Sequence, residues 1–243
     1  MNLRQLARAV VAKLRDDAFK LISLDRTSLA KIRRRNDLKH IGTEYGGWTV
    51  PVSLFDSRSI CYCIGCGEDI SFDLGLIKAF GCHVFAFDPT PRAIEYVRKM
   101  AGHNPQYHFF DIGLWDKDDR LKFYVPRNDE HVSHSLLNLQ KTQKYIEVRV
   151  KRLSQIMKEY SHQKIDLLKI DIEGAEYKVI DSIIEDSIDI RVICVEFDEY
   201  CNPLDDEFKT RIRSSVNRLI AKDYTAVCLQ GNANYTFVKK VSP

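Results

Sequence analysis

From Ser59 onward the chain alternates short apolar runs with amphipathic segments, and this alternation limits the possible folds more than any other feature. The apolar runs predict strands that are buried on both faces, at residues 59–64, 83–87, 107–110, 165–170 and 191–197. The segments between and after them have the spacing of helices, at residues 70–80, 91–101, 174–185 and 205–221. Strands that alternate with helices predict an α/β fold with a mostly parallel sheet and helices on both faces.

Two strand pairs depart from this alternation. Residues 121–125 and 146–150 predict an extra pair around a polar loop at 126–144. Residues 224–229 and 235–239 flank a turn sequence, so they predict a C-terminal antiparallel hairpin.

Charge is distributed unevenly along the chain. The first 40 residues hold eleven Lys or Arg and four Asp or Glu, a balance of +7, and the total of +3 therefore leaves −4 for the remainder. A length of 243 residues suits one domain with a short extension. We divide the chain into a basic amphipathic helical arm, residues 1–40, and a main domain, residues 41–243.

The arm contains an amphipathic pattern at residues 3–22, with apolar side chains on one stripe and basic side chains opposite. Such a helix can lie on an anionic membrane surface, contact a second subunit in a homodimer, or pack on its own domain. No apolar run approaches the ~20 residues that span a bilayer, and the N-terminus lacks the uninterrupted apolar core of a signal peptide. We therefore expect a cytoplasmic protein, with peripheral contact at the inner membrane face as one option.

A glycine-rich turn follows the first strand of the main domain. Gly65 and Gly67 end that strand, and Asp88 closes the second strand 23 residues after Gly65. Glycine permits a tight turn and a close approach of ligand to backbone, while a carboxylate at the next strand end can accept both ribose hydroxyls of a nucleoside. This combination predicts nucleoside binding.

The residues beside the turn indicate which nucleoside. A dinucleotide site needs a third glycine, where this chain has Ile70, and an open helix N-terminus for the pyrophosphate. Glu68 and Asp69 occupy the place of that anion, and like charges repel. The acids suit a ligand with a sulfonium and an ammonium group, so the residues favour S-adenosylmethionine over a dinucleotide.

Carboxylates follow two later strands, and parallel topology predicts that they meet at the same sheet edge as Gly65. Asp171 and Glu173 follow the strand at 165–170, and Glu196 and Asp198 end the strand at 191–197. A carboxylate can orient or deprotonate a hydroxyl acceptor. Four of them can instead bind a divalent metal, and the sequence does not decide between these uses, so we assign no metal ligand. We interpret Glu176 as a solvated or packing position on the next helix.

Three segments together resemble the FkbM family of S-adenosylmethionine-dependent methyltransferases. Residues 61–72 (CYCIGCGEDISF) resemble its first motif, residues 85–92 (FAFDPTPR) its second-strand motif, and residues 166–179 (DLLKIDIEGAEYKV) its Asp-x-Glu-Gly-x-Glu signature. The resemblance runs from about residue 46 to residue 238. Where many members continue Glu-Phe-His, this chain has Glu196-Phe197-Asp198.

The resemblance implies a class I methyltransferase fold, Rossmann-like with a C-terminal antiparallel hairpin, and methylation of oxygen on a sugar or secondary metabolite. It places Asp88 at the ribose and Asp111 near the adenine. The residues expected to bind the cofactor are Gly65, Gly67, Glu68, Asp69, Ser71, Phe72, Asp88, Pro89, Asp111 and Asp171. Those expected to act on the acceptor are Asp171, Glu173 and Glu196.

The remaining predictions concern the acceptor. The polar segment 129–138 brings His131 and His134 into a long insertion, which is either a substrate wall or a solvated loop. Four aromatic residues near loops can stack on sugars or simply pack: Tyr45, Trp48, Trp115 and Tyr200. The leading hypothesis is an O-methyltransferase acting on a sugar, glycan or glycosylated metabolite. The alternatives are a nucleic-acid methyltransferase that uses the basic arm, which the acidic main domain disfavours, and a non-catalytic nucleoside-binding module.

Overall fold

The centre of the protein is a seven-stranded sheet, seen in a computed structural model that describes residues 25, 27–127, 134–138 and 140–240. Its order is β11-β12-β10-β9-β3-β4-β5. The strands are β3 (Ile60–Ile64), β4 (His83–Phe87), β5 (Tyr107–Phe110), β9 (Ile165–Ile170), β10 (Ile190–Glu196), β11 (Tyr224–Gln230) and β12 (Asn234–Lys239). β3, β4, β5, β9 and β10 pair in parallel, and β12 pairs antiparallel with both β10 and β11. This is the class I methyltransferase arrangement that the sequence predicts.

Helices cover both faces of this sheet. They are α1 (Ser71–Phe80), α2 (Pro91–Ala101), α3 (Leu153–Glu159), α4 (Glu176–Glu185) and α5 (Phe208–Ala221). Alternate side chains of β3 enter opposite layers: Tyr62 and Ile64 pack with α3, α4 and α5, while Cys61 and Cys63 pack with α1 and α2. β9 is buried along its whole length, as its apolar run predicts.

Two smaller sheets flank the central one. β1 (Leu38–Ile41) pairs antiparallel with β2 (Trp48–Pro51). β6 (Gly113–Leu114), β7 (Asp119–Tyr124) and β8 (Tyr145–Lys151) form the second, in the order β6-β8-β7. β7 and β8 are antiparallel, which confirms the extra strand pair predicted around the polar insertion.

Part of the predicted arm contacts the main domain. Ala30 is buried in the core, the Arg33 N–H donates to the carbonyl of Ala226 on β11, and the Tyr235 hydroxyl on β12 donates to Asp25 at 2.6 Å. The helix predicted at residues 3–22 lies outside the described residues. Within the described part of the chain, no helix combines the length and apolar character needed to cross a membrane.

Candidate active site

A cavity of about 360 Å³ opens at the carboxyl ends of β3, β4, β9 and β10. β3 lies between β4 and β9, so the connections to its two neighbours run in opposite directions, and ligands of parallel sheets bind at such a switch point. Nine of the residues predicted from sequence line the cavity: Gly65, Gly67, Glu68, Asp69, Asp88, Pro89, Asp171, Glu173 and Glu196. The topology therefore brings the predicted strand ends together, and the role of each residue toward a ligand stays a prediction.

The turn after β3 requires glycine at its first position. Gly65 has φ +83°, and a Cβ atom there would lie 1.8 Å from the carbonyl oxygen of Asp171. The Gly65 N–H donates to the carbonyl of Phe87 at 2.9 Å, so the turn is fixed between the ends of β4 and β9. Gly67 also has a positive φ, +52°. Backbone is consequently exposed to the cavity with no side chain in front of it.

Asp88 holds this turn from the end of β4. Its Oδ2 accepts hydrogen bonds from the N–H groups of Cys66 and Gly67 at 2.9 and 3.0 Å, and its Oδ1 accepts from the N–H and hydroxyl of Thr90 at 2.9 and 2.6 Å. A carboxylate offers about four acceptor sites. A ribose hydroxyl that reached Asp88 would therefore share or displace one of these bonds.

Lys169 connects the turn to the carboxylates, and sequence reasoning missed it because it lies within a buried strand. Its Nζ donates to the Gly65 carbonyl at 2.5 Å and pairs with Asp171 at 3.0 Å, and its side chain is 8% exposed. Burial alone lowers the pKa of Lys169, but the charges of Asp171 and of buried Asp73 outweigh that effect and raise it. Lys169 is therefore a fixed cation in the wall of the cavity.

The Asp-x-Glu-Gly-x-Glu signature forms a turn between β9 and α4. Glu173 has φ +53° and Gly174 has φ +100°. Two consecutive left-handed residues, one of them not glycine, store conformational strain of about 1 kcal/mol or more, which surrounding bonds must hold. Glu176 is fully buried rather than solvated, so that part of our sequence interpretation was wrong. A carboxyl group can be buried at low cost only if hydrogen-bond donors surround it or if it carries a proton.

Glu196 ends β10 at the opposite side of the cavity from the glycine turn. Burial raises the pKa of Glu196 to about 7, and the charges of Asp171 and Glu173 add to that rise against the opposing effect of Lys169. Its Oε2 accepts a hydrogen bond from the side-chain amide of Asn234 at 3.0 Å. A carboxyl group that lines a cavity and has a pKa near neutral pH has the properties of a general base.

The two acids after the glycine turn are held differently. Glu68 accepts hydrogen bonds from Arg92 at 2.5 and 3.2 Å, which offsets its charge. Burial alone would raise the pKa of Asp69, but hydrogen bonds from Ser71 and Thr43 outweigh it and lower that pKa. Asp69 therefore supplies most of the negative charge that the sequence assigned to the pair.

Three residues predicted to bind the cofactor lie outside the cavity lining. The Ser71 hydroxyl accepts a hydrogen bond from the Thr43 N–H, and Phe72 is 1% exposed in the core beneath the turn. Asp111 pairs with Arg149 at 3.0 Å, and both side chains are more than half exposed. These positions support the turn or lie on the surface.

The insertion reaches the cavity through the segment that begins at His134. His134 lines the cavity, and the Ser135 hydroxyl donates to the Glu173 carbonyl at 2.7 Å. His131 lies outside the described residues. Tyr45 also lines the cavity and is 86% exposed, so it is available for contact with a ligand. Trp48 is buried in the core, which excludes a stacking role for it.

Metal ligation has no support within the described ranges. No group of three or more His, Cys, Asp or Glu side chains there is arranged to hold a metal ion. Cys61, Cys63 and Cys66 are buried free thiols.

Comparison with known proteins identifies the family of the chain. The family model described as Methyltransferase FkbM domain matches residues 66–217. The human protein "Probable methyltransferase-like protein 24" is 27% identical over 128 residues, which cover 52% of this chain and 28% of the human protein. "Methyltransferase 1" of Beauveria bassiana (strain ARSEF 2860) is 29% identical over 127 residues, which cover 44% of this chain and 51% of the fungal protein.

A solved structure gives a further likeness. The crystal structure of Methyltransferase FkbM from Methylobacillus flagellatus KT is 14% identical with a TM-score of 0.49, over 76% of this chain and 44% of that chain. The matches to the human and fungal proteins likewise span 28% and 51% of their lengths. The chain thus matches between about a quarter and a half of the length of these two relatives.

Proposed function

Because the chain belongs to the FkbM methyltransferase family, we propose that it transfers a methyl group from S-adenosylmethionine to a hydroxyl of a sugar, a glycan or a glycosylated metabolite. The observation that carries this proposal is Glu196, a carboxylate with a pKa raised by burial to about 7 that faces the same cavity as the glycine turn. An unactivated hydroxyl is a weak nucleophile, and a base near neutral pH assists its attack.

The cavity fits the proposed cofactor. S-adenosylmethionine supplies the methyl group together with its leaving group, so the protein contributes alignment and electrostatics. Gly65 leaves room for close approach, and Asp69, Asp171 and Glu173 give the lining an excess of negative charge that suits a sulfonium and an ammonium group. Lys169 is available as a cationic neighbour for the carboxylate end of the methionine part.

The acceptor side favours a neutral polyol over an anion. Glu173 and Glu196 line it, and as carboxylates they would repel a phosphate or a carboxylate. Tyr45 and His134 offer an aromatic face and a hydrogen-bonding ring, which sugars use in recognition. We assign Glu196 the role of base, and Asp171 and Glu173 the orientation of the acceptor.

The same proposal includes a role for the basic arm and a location for the protein in the cell. Residues 1–24 carry an excess of basic side chains that suits an anionic membrane surface or a second subunit. A cytoplasmic enzyme with peripheral contact at the membrane is the corresponding location.

Two measurements test this function. Titration calorimetry should detect binding of S-adenosylmethionine, and an absence of heat at millimolar cofactor would refute the proposal. Radiolabelled methyl transfer should then be measured on a panel of neutral glycosides, acidic glycosides and short RNA and DNA. Labelled neutral glycosides are the expected product, whereas labelled nucleic acid would favour the alternative enzyme and cofactor binding without transfer would favour a non-catalytic module.

Truncation of the arm distinguishes a glycoside enzyme from a nucleic-acid enzyme. Removal of residues 1–24 leaves Asp25, Ala30 and β1 in place, whereas removal of residues 1–40 would strip contacts from the core and from β12. A glycoside enzyme should keep its activity in the shorter truncation, and a nucleic-acid enzyme should lose affinity and salt dependence.

A further inference from the structure

The strained turn at residues 172–174 is held by two buried carboxyl groups from different elements. Oε1 of Glu176, on α4, accepts from the Gly174 N–H at 2.8 Å and from the Ile172 N–H at 3.4 Å. Oδ2 of Asp198, beyond β10, accepts from the Glu173 N–H at 2.8 Å. All three consecutive N–H groups of the turn therefore donate hydrogen bonds to acidic side chains.

The two carboxyl groups are also close to each other. Glu176 is fully buried and Asp198 is 7% exposed, and they accept from the adjacent N–H groups of Gly174 and Glu173, so the two carboxyl groups lie side by side. Among the groups that the structure describes, no N–H or hydroxyl donor reaches Oε2 of Glu176. Two ionised carboxylates held side by side in a buried site repel each other, and one shared proton removes that repulsion.

We propose that Glu176 and Asp198 share one proton and act as a positioning pair that holds the left-handed turn 172–174, and through it Glu173, against the acceptor side of the cavity. Glu173 in turn is fixed from the other side, since its carbonyl accepts from the Ser135 hydroxyl of the insertion at 2.7 Å. The statement that Glu173 faces an acceptor rests on the proposed function; the holding of the turn does not.

The charges around the pair favour retention of its proton. Asp198 is faced by the carboxylates of Asp171, Glu173 and Glu196, and burial with these charges raises its pKa well above the usual value. The nearby Glu199 is neutralised by Arg211 at 2.5 Å, and the cation Lys169 is paired with Asp171. The phenol of Tyr177 lies beside Glu176 on the same helix.

The pair should therefore be sensitive to alkaline pH. Burial raises the pKa of Glu176 to about 7, above the ordinary value for a glutamic acid. A group with a raised pKa in the folded state gives its stabilisation at low pH and loses it as the pH rises through that value. Asp198, whose pKa is also raised, keeps the shared proton beyond that first step, and only when Asp198 ionises as well do two buried anions repel each other and release the turn.

Amide hydrogen exchange, followed by NMR on full-length ¹⁵N-labelled protein, tests the pair without an acceptor. In the wild type, protection of the amides of residues 172–174, corrected for intrinsic exchange, should fall at least tenfold between pH 6 and pH 10. The amide of Asp171, which donates to the Ile64 carbonyl at 3.1 Å, should stay protected and serves as the internal control. Cofactor affinity, measured by calorimetry on the same samples, tests the proposed function separately.

Variants separate a shared proton from simple packing. In E176Q and in D198N an amide can donate to the remaining carboxylate and still accept from the turn, so protection should be retained and become independent of pH. E176A should lose protection at residues 172–174 at every pH, and E95Q, which removes an exposed acid from α2, should behave as the wild type. Wild-type protection that is flat from pH 6 to pH 10, or E176Q and D198N proteins that exchange as fast as E176A, would overturn the proposal.

Discussion

Replacement of Lys169 by methionine should destabilise the fold and weaken cofactor binding together. The methylene stem is preserved by methionine, so the change removes mainly the charge. Lys169 is the cation that faces Asp171 at 3.0 Å and compensates the fully buried Asp73, and it donates to the Gly65 carbonyl. Loss of one partner of a buried ion pair leaves the other charge without compensation.

The structure sets the size of the effect. With a side chain only 8% exposed, Lys169 falls in the range for buried pairs, where removal of one partner costs about 3–5 kcal/mol. For a domain of this size each kcal/mol lowers the Tm by about 2–4 °C, so a fall of roughly 6–20 °C is expected. Lys169 also donates to the Gly65 carbonyl in the turn that is proposed to bind the cofactor, so cofactor affinity should fall together with stability.

Urea denaturation and calorimetry with S-adenosylmethionine measure the two effects. Lys239→Met is the matched control, because Lys239 pairs with Asp189 on the surface and such pairs contribute about 0–1 kcal/mol. Addition of Asp73→Asn to Lys169→Met should restore part of the stability, since it removes the isolated buried acid while leaving an acceptor for the Tyr107 hydroxyl. A single variant within about 1 kcal/mol of the wild type, or no recovery in the double variant, would show that the charge of Lys169 is unimportant.

Three further predictions concern the cavity. Gly65→Ala should abolish measurable cofactor binding in calorimetry, because its Cβ would overlap the Asp171 carbonyl; an affinity within threefold of wild type would contradict this. Glu196→Gln should lower kcat by about 10²–10⁴-fold with cofactor affinity nearly unchanged, and should remove the rise in rate through about pH 7 that accompanies ionisation of Glu196 in the wild type. Asp111→Ala should leave cofactor affinity unchanged, since Asp111 lies in an exposed pair with Arg149; a tenfold loss would return it to the adenine site that the sequence assigned.

The sheet was predictable from sequence because its strands are continuous apolar runs. β9 is buried at every position, and no other element type buries six consecutive residues so readily. Gly65 and Asp88 were predictable for a related reason, since strand ends at a known spacing meet at one sheet edge.

Lys169 and Glu176 were not predictable in the same way. Lys169 lies inside β9, and Glu176 lies in the first turn of α4. The hydrophobic pattern of a strand or helix predicts which positions are buried, but it does not predict which groups neutralise a buried charge. A charged residue in a buried strand was the available signal, because it requires a partner. The identity of the partners depends on which strand ends and helices come together in three dimensions, as Asp73 from α1 and Asp198 from beyond β10 do.

The acids of the cavity act in two ways that the sequence could not separate. From the sequence, Glu68 and Asp69 were both expected to offer negative charge to a cationic cofactor. In the structure Glu68 is offset by Arg92, whereas burial raises the pKa of Glu196 to about 7, where it can gain or lose a proton. In the proposed function, charge recognition therefore rests on Asp69 and its neighbours on the cofactor side, and proton transfer rests on Glu196. Because burial and pairing, not residue type, make this division, the two functions can share one small cavity without opposing each other.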